Sequence, residues 1–124
     1  MPSVFLDKAR ANLVAAQHSF DHGLYEASAN RAYGAAFQVA IAALQAHGFR
    51  SDKNEHKWVQ ASFSRELIHR RKIYPRKFRS YLSDMLTMRN DADYSEIRLS
   101  KETARRQLTR AKEFVETIRL ELEK

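Results

Sequence analysis

The apolar positions of this chain recur with the period of a helix from one end to the other. Leu6, Ala9, Leu13, Ala16 and Phe20 are separated by alternating steps of three and four residues, which lays them along one stripe. Ser3 stands where an N-cap belongs and Gly23 where a helix-ending glycine belongs, so a first helix is predicted between them. A second helix is predicted from about Leu24 to His47, stopped by Gly48, with Tyr25, Ala32, Ala36, Val39, Ala43 and Leu44 on its stripe. Its many alanines allow neighbouring backbones to approach closely. Residues 49–55 are polar and read as a loop. A third helix carries Val59, Phe63 and Leu67 and is expected to fray into Arg70, Arg71 and Lys72. Pro75 suits the first turn of a fourth helix, where its missing N–H is not needed; that helix bears Phe78, Leu82, Met85, Arg89 and Ala92. Ser100 caps a fifth, with Ala104, Leu108, Ala111, Val115, Ile118 and Leu122 on its stripe.

Five helical segments with no repeat and no linker predict one all-α domain over residues 1–124, an antiparallel up-and-down four- to five-helix bundle. Phe5, Trp58 and Leu120 fall off the stripes and are expected to cover a dimer surface. Composition agrees with the helical reading: 3 glycines and 2 prolines are too few for an all-β chain rich in turns. The absence of cysteine excludes a disulfide framework, a thiolate zinc site and a cysteine nucleophile. The longest apolar run, residues 39–44, is far short of the ~20 residues that cross a bilayer. Met1-Pro2-Ser3 opens no signal sequence. A cytoplasmic protein without a membrane association is expected.

Charge adds a location. The chain has a net charge of +7, and Arg70, Arg71, Lys72, Arg76, Lys77 and Arg79 fall in one stretch without an acid. The rest of the chain is nearly balanced, 16 basic residues against 15 acidic ones. A local basic face of this kind attracts phosphate and steers nucleic acid, so these six residues are the candidate nucleic-acid contacts. The alternative is a solvated helix junction.

The candidate chemistry lies in Arg89-Asn90-Asp91-Ala92-Asp93-Tyr94. Arg89 is in register with the apolar stripe of the fourth helix, and an unpaired guanidinium there is costly unless it finds an acceptor or opens onto a cleft. Arg89 and Asp93 share a helix face, as do Asn90 and Tyr94. Arg89 can grip a phosphate with its planar fork of donors, or it can simply pair with Asp93 and stitch the bundle. Other chemistries find little support. No phosphate loop and no dinucleotide fingerprint occur. His18 and His22 have an i, i+4 spacing without the adjacent glutamate of a zinc motif, so no metal site and no cofactor are expected. His56, at the start of the third helix, reads as a cap or surface residue.

Several blocks taken in order resemble a known family. They are Gly23-Leu24-Tyr25-Glu26-Ala27, Asn30-Arg31-Ala32-Tyr33 with Ala35-Ala36-Phe37, His56-Lys57, the Arg89–Tyr94 stretch, and Ser100-Lys101-Glu102-Thr103-Ala104 leading to Ala111-Lys112-Glu113-Phe114. Together they resemble the HEPN domain family, in particular its stand-alone prokaryotic branch with an Arg-x-x-Ala-Asp-Tyr stretch. The resemblance implies a helical bundle that forms a homodimer. It also implies pairing with a minimal nucleotidyltransferase, often as a toxin–antitoxin couple, and contact with RNA or a nucleotide.

Active ribonucleases of the family carry an arginine, a polar neighbour and a histidine four to six residues after the arginine, in a cleft shared by two protomers. Arg89 and Asn90 match the first two, while the histidine is absent: Tyr94 stands at the shortest spacing and no histidine follows. A histidine titrates near ~6.5 and a tyrosine near ~10, so Tyr94 is a poor base. The resemblance therefore implies a non-catalytic or weakly catalytic module that binds a nucleotide or RNA phosphate through Arg89, Asn90 and Tyr94. A metal-independent ribonuclease, with Tyr94 or Asp93 taking part of the histidine's role, is the alternative. A basic bundle binding nucleic acid without specificity is a third reading and needs no family.

Overall fold

The computed structural model describes residues 3–124. These form α1 (Val4–Asp21), α2 (Tyr25–Ala46), α3 (His56–Ser62) running on into a π-helical stretch (Phe63–Arg70), α4 (Lys77–Tyr94) and α5 (Lys101–Leu122). No strand occurs among the described residues.

The helix ends follow from local chemistry. The Ser3 hydroxyl accepts from the Leu6 amide at 3.2 Å, and that of Ser100 accepts from the Thr103 amide at 3.1 Å. Each satisfies an amide that the first turn leaves without a partner. Gly23 and Gly48 both take positive φ, 75° and 86°. At the first, the Leu24 amide reaches back to the Ser19 carbonyl and the Gly23 amide to that of Phe20. At the second, Phe49 reaches Leu44 and Gly48 reaches Gln45. Both are Schellman endings, and the left-handed residue they need is a glycine in each case.

The four long helices alternate in direction. Hydrogen bonds between Asn30 and Asp93 and between Glu26 and the Leu99 amide set the start of α2 against the end of α4. Tyr81 and Lys77 both reach Glu113, and Arg110 faces Asp84, so α4 runs antiparallel to α5. The π-helical continuation of α3 climbs alongside α2: His56 packs on Phe37, while Arg71 packs over Phe49. Residues 47–55 therefore carry the chain back along the bundle before α3 begins.

Helix α2 is the central element. It is buried nearly all round, including Ile41 and Ala42, which lie off the predicted stripe. Its alanines admit α1, α4 and α5 to close distance. Gly34 continues this: a Cβ there would meet the Asn12 amide of α1 at 3.2 Å. Asn12 in turn donates to Gln38 at 2.7 Å, and buried Ser28 donates to the Ala16 carbonyl at 2.9 Å, pinning α1 to α2. At the opposite end Phe63, Phe78, Phe114 and Tyr74 form an aromatic cluster, with Phe78 and Phe114 centroids 4.6 Å apart.

Three expectations change. The third helix does not fray; it widens into a π-helical stretch, in which the Arg71 amide bonds the Glu66 carbonyl five residues back. The wider turn buries Phe63, Leu67 and Ile68 together and ends at Arg70; Lys72, just beyond it, takes φ 53°. Pro75 lies just before α4 rather than in it, its carbonyl accepting from the Phe78 amide. Phe5 and Trp58 pack partly buried against the core, because helix ends and the α2–α3 return bring apolar neighbours to them. Of the three off-stripe residues only Leu120 is exposed.

Candidate phosphate-binding site

Antiparallel packing of α2 on α4 decides the site. Asn30 donates from Nδ2 to Asp93 Oδ2 at 2.9 Å, which fixes the register of the two helices. One turn further along α2 stands Tyr33, and one turn back along α4 stands Arg89. The two therefore come level. The start of α3 closes the third side: His56 Nδ1 is 2.7 Å from the Tyr33 hydroxyl, and its ring packs on Phe37 with centroids 4.6 Å apart.

Arg89 is half-buried and held from one side. Its Nε lies 3.1 Å from Asp93 Oδ2, the two side chains being 29% and 27% exposed. Its Nη1 reaches Asn90 Oδ1 at a long 3.4 Å. Nη2 has no hydrogen-bond partner among the described residues. The ion pair expected from the i, i+4 spacing is thus present, and it leaves Nη2 of the half-buried guanidinium without a hydrogen-bond partner. Asp93 serves both Arg89 and Asn30, and Tyr94 is 78% exposed.

The charge of Arg89 acts on both neighbouring rings. Burial, reinforced by that guanidinium, holds the His56 imidazole below its ordinary pKa. Burial pushes the Tyr33 phenol up to about 12, against the opposing effects of Gln60 and Arg89. At neutral pH the site therefore presents a cation, an uncharged imidazole and a protonated phenol.

The basic segment lies elsewhere. Lys77 opens α4, and twelve helical residues at ~1.5 Å each put Arg89 about 18 Å from it along the axis. Arg70 pairs with Glu66 at 3.3 Å and Lys77 with Glu113 at 2.6 Å. Arg71 packs over Phe49, its guanidinium carbon 5.1 Å from the ring centroid. Lys72, Arg76 and Arg79 are exposed, and with Arg71 they have no acid partner among the described residues. A cavity of about 410 Å³ at this end is lined by Phe49, Glu66, Arg70 and Arg71. The two predicted groups of residues are thus at opposite ends of α4. The His18 and His22 rings lie tilted with centroids 4.3 Å apart, and His22 Nδ1 donates to the His18 carbonyl.

The model of the HEPN domain matches residues 3–121. The chain belongs to the HEPN domain family. No curated protein matches it. In this HEPN protein the bundle is the family's, and a nucleotide- or RNA-related role comes with it in general terms. No described helix is long and apolar enough to cross a membrane.

Sequence reasoning singled out Arg89, Asn90, Asp93 and Tyr94 as candidates and read His56 as a cap or surface residue, whereas the fold sets His56 against Tyr33. The signal was present. Asn30, Tyr33, His56 and Arg89 all lie in the blocks that carry the family resemblance, and the fold brings these separated blocks to one place.

Proposed function

We propose that this HEPN protein binds the phosphate of RNA or a nucleotide at Arg89, and that it does so as a homodimer partnered by a minimal nucleotidyltransferase in a toxin–antitoxin or defence setting. The observation that carries the reading is the posture of Arg89: Asp93 takes its Nε, and Nη2 keeps no protein partner among the described residues. A guanidinium already steadied by a carboxylate loses little freedom when its remaining N–H groups grip phosphate. The dimer is supported by an apolar rim at the same end. The loop after α4 is held to α2 by Glu26, which accepts from the Leu99 amide at 2.7 Å and from Arg98 at 3.2 Å. Leu24, Tyr94 and Ile97 stand there 57%, 78% and 77% exposed, a surface that a second copy would cover.

Binding rather than cleavage through Tyr94 or Asp93 is the better reading of the motif itself. Asp93 is committed to Arg89 and Asn30, and Tyr94 has no hydrogen bond among the described residues that would activate it. The test is titration with single-stranded RNA and with ATP, together with co-expression alongside the neighbouring gene. Saturable binding to either ligand and recovery of a nucleotidyltransferase on the purified protein are expected. A protein that binds neither ligand and brings down no such partner sinks the reading.

A further inference from the structure

We propose that the cavity at the basic end of the bundle is a second binding site, which takes a small phosphate monoester between Arg70, Arg71 and Phe49. It is a different site from that of Arg89, and its ligand is a compact dianion rather than a strand.

Local structure builds the cavity. The turn at Gly48 folds Phe49 back on α2, its amide bonding the Leu44 carbonyl at 2.9 Å. Facing it, the π-helical stretch ends in a fixed return of the chain. The Arg71 amide bonds the Glu66 carbonyl at 3.1 Å, and the Ile73 and Tyr74 amides both reach the Leu67 carbonyl, at 2.9 and 3.3 Å. Lys72, at φ 53°, makes that return possible. Arg70 and Arg71 both line the cavity of about 410 Å³, and Phe49 and Glu66 complete it. Consecutive residues on a regular helix point apart. These two share a cavity because the helix ends at Arg70.

The charges there do not balance. The Glu66 side chain, 11% exposed, already accepts from Arg65 Nε at 3.1 Å and from Arg70 Nη1 at 3.3 Å. Arg70 keeps Nε and Nη2 without a partner among the described residues. Arg71 lies over Phe49, its guanidinium carbon 5.1 Å from the ring centroid, which steadies it without using any of its donors. Its side chain makes no hydrogen bond or ion pair among the described residues. His47 stands near Arg71 and adds no charge at neutral pH: burial, then the Arg71 guanidinium, holds its imidazole below the ordinary value, against the effect of Glu121. The guanidinium groups of Arg65, Arg70 and Arg71 thus stand against one lining carboxylate.

The chemistry selects the ligand. A phosphate monoester carries a charge of about −1.5 to −2 at pH 7 and three strong acceptor oxygens, which suits the open donors of two arginines. A phosphodiester has a single charge and fewer such oxygens, so it fits this pair less well. Ligand pockets run from about 300 to about 1,000 Å³, and this one lies at the small end. Phe49 supplies an apolar wall for a compact, ring-sized ester group.

The test is titration of the whole isotope-labelled chain with phenyl phosphate, followed by amide NMR. Saturable shifts at Phe49, Arg70, Arg71 and Lys72 are expected. Arg71→Gln should weaken binding about tenfold or more. Its urea midpoint should stay near that of wild type, since the Arg71 side chain bonds no other residue. Dimethyl phosphate, a diester, should bind about tenfold more weakly than phenyl phosphate or worse. Equal affinity for the two esters, or equal affinity in Arg71→Gln and wild type, overturns the proposal. So does a titration that never saturates. Shifts centred on Asn30, Arg89 and Asp93 overturn it too, because they seat the ester at the other site. Failure here leaves the Arg89 reading standing, since that one is judged by titration with RNA and ATP.

Discussion

Replacing Arg89 by alanine separates a phosphate contact from a merely structural ion pair. The side chain is 29% exposed and Nη2 has no hydrogen-bond partner among the described residues, so a phosphate bound there gains a charge-assisted hydrogen bond in a partly dehydrated setting. Such bonds contribute about 1.5–3 kcal/mol, or about 10- to 150-fold in Kd. The structural part is smaller. Losing the Arg89–Asp93 pair costs the fold about 0.5–1 kcal/mol, because Asp93 keeps its bond from Asn30 at 2.9 Å and some contact with water. Fluorescence anisotropy with labelled single-stranded RNA, run from about 50 to about 200 mM salt, reads both affinity and the number of phosphates held. Arg89→Ala should raise Kd about tenfold or more and flatten the slope of log K against log salt by about 0.7, the share of one contact on a single strand. Its thermal midpoint should fall by only a few degrees. Wild type and variant with equal Kd and equal slope would falsify the phosphate role, and Arg89 would then be a stitch between two turns of α4.

Three other perturbations probe the rest of the molecule. Lys72, Arg76 and Arg79, which have no acid partners, can be changed to glutamine together. RNA affinity should drop and its salt slope flatten while urea unfolding stays within about 0.5 kcal/mol of wild type; unchanged binding would make the segment a solvated junction. Arg70 is left alone because it holds buried Glu66. Phe114→Ala removes a fully buried ring from the aromatic cluster and should cost about 3–5 kcal/mol in urea unfolding, with a much smaller loss arguing that the cluster closes over the gap. The Glu113 carboxyl is held below its ordinary 4.5 by hydrogen bonds from Lys77 and Tyr81. Its contribution is therefore present above pH 4.5 and lost as pH falls through the lower folded value. Glu113→Gln should lose less stability than wild type between neutral and acid pH; identical losses would mean the contacts do not favour the charged form.

Much of the architecture was legible along the chain because helices are specified locally. Ser3 and Ser100 cap where their hydroxyls suggest, and Gly23 and Gly48 end helices because a left-handed residue is needed there. Apolar spacing alone orders Leu82 and Met85 inward on α4. The π-helical stretch left no such signature: it arises where Phe63, Leu67 and Ile68 must reach the core together, a demand set by neighbours.

The site divides along the same line. The i, i+4 pairing of Arg89 with Asp93 is a property of one helix, and four residues of spacing determine it. That Asn30 shares Asp93 with Arg89, and that His56 meets Tyr33 nearby, depends on the register of α2 against α4 and on the return of the chain through residues 47–55. Twenty-three residues separate Tyr33 from His56, and no local period links them. The order of helices, the ends closed by Ser3, Ser100, Gly23 and Gly48, and the local concentration of positive charge were therefore determined by sequence. The setting of Arg89 was decided by tertiary structure, because contacts between distant segments are fixed only when the core closes around α2.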